Sequence, residues 1–159
     1  MNTTTSDLKP ESIPSTAAVH GHPLHPMVVP FPIAFLVGAL LTDVLYLWGG
    51  NLFWAQCSYW LLWAGLAMGL VAAMLGVADF FGDERIRSKL VARIHFAGNA
   101  AVIALAAINI GVRAPGTAEG LYPEGITLST VVALILGVTG WLGGELAYRH
   151  RVGVVPRGR

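Results

Sequence analysis

Charge is what this chain has least of. Asp, Glu, Lys and Arg make up 12% of its 159 residues, against about 25% in soluble domains, while 55% are hydrophobic and the mean hydropathy is +0.63. So thin a polar complement excludes an ordinary water-soluble core and points to an integral membrane protein, with the lipid bilayer as its first partner. Cysteine is nearly absent, and the lone Cys57 excludes an internal disulfide and any Cys-rich zinc or iron–sulfur centre within the chain. No long basic block accompanies the net charge of +1, so nucleic acid is not an expected partner. No basic stretch followed by a short apolar core opens the sequence, so a cleavable signal peptide is not expected. No nucleophile, base and orienting group can be read from the spacing, which argues against an enzyme.

Long apolar runs are what the chain does have: Pro32 to Trp48, Phe53 to Phe81, Ile94 to Val112 and Ile126 to Tyr148. Each is near or above the roughly 17 to 25 residues that cross a hydrocarbon core. Unpaired strand edges cannot be satisfied in lipid, so these runs are helices. The expected fold is all-α, an integral membrane four-helix bundle built from two helical hairpins, the first closed by the tight turn at Gly49 to Asn51. Residues 1–18 read as a disordered tail, 19–31 as a His/Pro-rich interfacial segment, 32–150 as the bundle and 151–159 as a basic tail. Two GxxxG motifs, Gly65/Gly69 and Gly140/Gly144, are candidate packing seams, since membrane helices associate through close approach of small residues.

Eight of the ten cations lie between spans two and three or after span four, which makes that side cytoplasmic and puts both termini inside, in a bacterial inner membrane. Trp48, Trp54, Tyr59 and Trp60 gather near the opposite interface.

Ionisable groups inside spans are costly and face the bundle interior. His95, Asn99, Val102, Ala106 and Asn109 form one helical stripe on span three, with the asparagines read as interhelical hydrogen-bonding groups. Asp43 is matched with Arg113 or Asn109, Asp79 with Arg85 or Arg87, and Glu145 with Arg149. A faint repeat runs through the chain: eighteen residues separate His25 from Asp43, and eighteen separate His95 from Arg113. Two parallel hairpins related by an axis along the membrane normal would set His25 across the bundle from His95.

Before span one, His22, His25, Val29 and Phe31 each precede a proline, which disfavours helix and predicts a stiff, extended segment with the first span opening at Pro32. His20, His22, His25 and His95 fall at one face. Three readings follow. His25 and His95 could be axial ligands of a haem b, with Asn99 beside them. His20, His22, His25 and His95 with Asp79 or Glu145 could ligate a transition metal ion. Alternatively, the histidines only anchor an interfacial loop, leaving a cofactor-free scaffold or partner-binding protein.

The segments "GHPLHPMVVPFPIAF" (Gly21 to Phe35), "HFAGNAAVIALAAINIGVR" (His95 to Arg113) and "GWLGGELAYRHRVGV" (Gly140 to Val154) resemble a bacterial family of small four-span predicted membrane proteins, domain-of-unknown-function family 2231. By matching motif the resemblance carries over to His22, His25, His95, Asn99, Glu145 and His150. In some relatives the same membrane unit is joined to a Rieske-type domain, which implies an electron-transfer setting and a redox partner such as an iron–sulfur protein. This chain has no such domain. The expectation is therefore an electron-transfer or sensing module with a histidine site at the cytoplasmic face, and the sequence leaves room for a homo-oligomer.

Overall fold

The computed structural model describes residues 12–154. Its helices are α1 (Leu24–Val28), α2 (Pro30–Gly49), α3 (Leu52–Gly82), α4 (Glu84–Arg87), α5 (Leu90–Gly111) and α6 (Ile126–Tyr148), preceded by a miniature hairpin of β1 (Ala18–Val19) and β2 (His22–Pro23). The four candidate membrane spans are Leu24–Gly49, Leu52–Gly82, Leu90–Gly111 and Leu121–Tyr148. They pair as two hairpins, α2 with α3 and α5 with α6. The hairpins close into a ring in which α3 meets α5 and α6 meets α2. The all-α bundle of two hairpins is thus the architecture observed.

The first hairpin turns as expected. Gly50 takes the left-handed conformation (φ 67°), which glycine reaches without a Cβ clash, and the Asn51 side chain accepts from the Phe53 amide to cap α3. At the other end of α3, Asp83 caps α4 by accepting from the Arg85 amide. The Arg85 guanidinium beside it holds the Asp83 carboxyl below the usual carboxylate range.

Before span one the structure departs from the expected extended segment. Leu24–Val28 is helical, the Val29 amide bonds to the His25 carbonyl, and Val29 itself is helical (φ −52°, ψ −35°), so the span opens at Leu24 rather than Pro32. The first four amides of a helix have no intrahelical acceptor, so Pro26, Pro30 and Pro32, each in the first turn of α1 or α2, forfeit little hydrogen bonding there. Helix continuity in an apolar setting outweighs the local bias of residues that precede proline.

The expected tail also carries structure from residue 12 onward; residues 1–11 and 155–159 lie outside the described residues. Ile13 is buried with Ile86 and Ala92 and pairs with Val152, joining the two ends of the chain beneath the bundle. Asp79 anchors this strap, accepting from the Ser15 hydroxyl (2.8 Å) and the Ala17 amide (2.9 Å), and does not pair with Arg85 or Arg87 as expected. An apolar isoleucine with its own pocket is a signal that tail composition averages away.

The central core joins all four spans through Leu36, Ala39, Leu62, Val102, Ala106, Val132 and Leu136. The stripe expected on α5 faces inward at Val102, Ala106 and Asn109. Of the two GxxxG motifs, Gly65 is a contact point, where an added Cβ would come within 2.6 Å of Leu36 Cδ2. Gly140 is not, since a Cβ there meets nothing within 4 Å. The neighbouring stripe Leu136, Thr139 and Gly143 faces the bundle instead. A four-residue spacing marks a face without saying which face turns inward.

Candidate functional site: two facing histidines

His25 on α1 and His95 on α5 face each other near one end of the bundle, ring centroids 6.3 Å apart with planes at 87°. Each imidazole is held in the same way. His25 Nδ1 lies 2.8 Å from the Ala72 carbonyl of α3, and His95 Nδ1 lies 2.8 Å from the Thr139 carbonyl of α6. A carbonyl can only accept, so in the neutral ring Nδ1 carries the proton and Nε2 keeps its lone pair.

Four residues beyond each carbonyl stands a glycine. A Cβ at Gly76 would lie 3.0 Å from His25 Cε1, and one at Gly143 would lie 3.2 Å from His95 Cε1. Both positions need a side chain small enough to let the ring lie against the helix. The faint repeat in the sequence is thus a geometric one: spans one and three contribute the imidazoles, spans two and four a carbonyl and a glycine floor.

Around the pair is a cleft of about 150 Å³ at the seam between α3 and α5, lined by Ala73, Gly76, Val77, Phe96, Asn99 and Ile103 beside the two histidines. Its walls are almost wholly apolar. Asn99 donates to the His95 carbonyl (2.8 Å), a bond within its own helix rather than the expected interhelical one.

The other expected site residues are placed elsewhere. His22 lies in the exposed β1–β2 hairpin, its Nδ1 3.1 Å from the His20 carbonyl, and His20 with Gly21 forms the left-handed turn of that hairpin. Asp79 holds the strap. Glu145 pairs with the exposed Arg149 at 2.7 Å, as expected. Among the described residues no three His, Cys, Asp or Glu side chains converge as a metal-ligand group.

A second polar cluster closes the opposite end of the bundle. Arg113 grips Asp43 with both terminal nitrogens (2.7 and 2.8 Å), and its remaining donors reach Ser58, Ser129 and Asn109. Ser129 donates in turn to Asp43, and Asn109 to Ser129 and the Gly125 carbonyl. Every guanidinium N–H is used, and no buried side-chain N or O among the described residues lacks a partner. So complete a network binds spans one, two, three and four together and leaves no free group for chemistry. Asp43 was expected to meet Arg113 or Asn109 from its depth in span one, and its partner is Arg113; Ser58 and Ser129 were missed, since a lone serine in an apolar run carries no periodic signal.

No curated protein and no solved structure matches the chain. Residues 21–156 match DUF2231, described as a predicted membrane protein, which spans both histidines, both hairpins and the buried ion pair. The chain belongs to the DUF2231 family of predicted membrane proteins.

Proposed function

We propose that this protein is a membrane-embedded electron-transfer or sensing module in which His25 and His95 ligate one metal centre between the two hairpins. The observation that carries the reading is the shared Nδ1–H···O=C bond of the two facing imidazoles. Histidines that ligate metals nearly always donate the other ring N–H to a carbonyl, carboxylate or water, which fixes tautomer and orientation. The spacing agrees. With metal–nitrogen bonds of about 2.0–2.1 Å and a ring centre about 1 Å beyond each nitrogen, two imidazoles in line on one metal stand about 6 Å apart. The centroid separation is 6.3 Å.

Two centres fit this donor set differently. A haem iron takes four ligands from its macrocycle, so two imidazoles complete it; a haem needs α3 and α5 to part along their apolar seam. A bare ion that accepts two imidazoles, such as copper, calls for no macrocycle between the helices. The absorption spectrum and metal content of the detergent-purified protein separate them. The expected result is either a Soret band that shifts on reduction or close to one metal ion per chain. A sample with neither, even after loading with haem and with copper, would leave a cofactor-free membrane scaffold.

The site's sidedness follows from charge. Arg85, Arg87, Lys89 and Arg93 join α3 to α5 at the histidine end, and the chain leaves α6 at the same end through Arg149 and Arg151. The positive-inside rule makes that end cytoplasmic in a bacterial inner membrane, where an electron carrier such as an iron–sulfur protein would meet the centre. A cytoplasm-active reporter fused after Arg159 is expected to be active; activity only for a periplasmic reporter would reverse the placement.

A further inference from the structure

The histidine cleft continues inward. From His25 and Asn99 a second void, of about 60 Å³, runs up the middle of the bundle between Pro32, Leu36, Gly65, Gly69, Val102 and Leu136. His25, Ala73, Asn99 and Ile103 line both spaces, so the void abuts the histidine pair. Its polar surface is confined to the histidine end, where His25 Nδ1 is already bonded to the Ala72 carbonyl and Asn99 Nδ2 to the His95 carbonyl.

A water held inside a protein needs about two to four polar partners, and apolar cavities without them stay dry and take apolar guests. A dry cavity of about 150 Å³ accepts benzene or xenon; at about 60 Å³ this one is restricted to something smaller than benzene. The void shares His25, Ala73, Asn99 and Ile103 with the cleft at the α3–α5 seam, and uncharged diatomic gases dissolve better in an apolar surrounding than in water.

We infer that the void is a binding site for a small uncharged gas of the dioxygen, nitric oxide or carbon monoxide class, placed to hold it beside the histidine pair. The delivery of that gas to a metal rests on the proposed function; its binding in the void does not. Gly69 controls the space. A Cβ there meets Ile103 and Pro32 only at ordinary contact distances of 3.7 and 3.9 Å, so a side chain can start from this position, on the wall of the void, without a clash at its first carbon.

Xenon is the probe. In protein with ¹³C-labelled Leu and Val methyls, reconstituted in lipid nanodiscs, xenon pressure is expected to shift the Leu36, Val102 and Leu136 methyl signals saturably. The lipid-facing Leu134 and Val138, 67% and 59% exposed, should respond linearly. Gly69→Val is expected to remove the saturable shifts and leave the linear ones. A linear response at the core methyls of the unsubstituted protein overturns the inference, and that titration decides alone should Gly69→Val not fold. Saturable xenon binding in a sample that takes up no metal would keep the gas site and remove the metal centre; a loaded metal centre without saturable xenon binding would do the reverse.

Discussion

Arg113→Met is expected to destabilise the protein by about 3–5 kcal/mol, the usual result of stripping one partner from a buried ion pair. Asp43 is fully buried and Arg113 nearly so, their side chains 0% and 3% exposed. Without the guanidinium, the Asp43 carboxylate keeps one hydrogen bond, from Ser129, at a position closed to bulk solvent. Arg113→Lys should lie between, because an ammonium is a point charge with three donors and cannot reach both carboxylate oxygens, two serines and Asn109 together. The decisive comparison is the double variant Asp43→Leu with Arg113→Met. Removing both charges also removes the desolvation penalty, and such replacements are often neutral or stabilising. Unfolding in a detergent series measures all three. A loss below about 1 kcal/mol for Arg113→Met would mean that water reaches the pair, and with it that this end of the bundle is open.

This ion pair also explains why part of the protein could be read from its sequence. Asp43 and Arg113 lie 70 residues apart, as do His25 and His95, and both pairs sit across the bundle from each other. Charge in an apolar run is so costly that depth alone narrowed the partner of Asp43 to Arg113 or Asn109. Apolar length fixed the four helices for a related reason: lipid permits no other way to satisfy the backbone. The histidine pair was legible as a juxtaposition.

Other features were not legible, and each for a physical cause. Proline's bias against helix is local and modest, whereas starting α1 at Leu24 depends on tertiary contact with α3, where His25 finds the Ala72 carbonyl. The backbone carbonyls that orient the imidazoles belong to any residue and leave no trace in side-chain identity. Gly76 and Gly143 are two glycines among nineteen, in a chain where glycine spacing suggested other seams. Asp79 was placed with the nearest arginines in sequence, yet its partners, Ser15 and Ala17, lie 64 and 62 residues away in a strap that composition assigned to disorder. Sequence thus exposes what is expensive in lipid and hides what is inexpensive, such as a carbonyl, a missing Cβ or a hydroxyl.

The near-equivalence of the two halves sets the last expected result. His25→Leu and His95→Leu should each abolish the proposed metal centre, with bound metal or Soret absorbance falling at least tenfold, and by the same amount from either side. Both rings have the same 2.8 Å carbonyl bond and the same glycine floor, so neither is the dominant ligand by geometry. His22→Leu should leave the centre intact, since its ring lies in the exposed hairpin and bonds to that hairpin's own backbone. Asn99→Leu should change the spectrum without emptying the site, because Asn99 lines the cleft while its amide is committed to the His95 carbonyl. Unequal losses, with one histidine dispensable, would replace an in-line pair by a single ligand and an exogenous one. Equal retention in both leucine variants would place the centre away from the pair, and the imidazoles would then be interhelical bonds, each worth around a kcal/mol or less to the bundle.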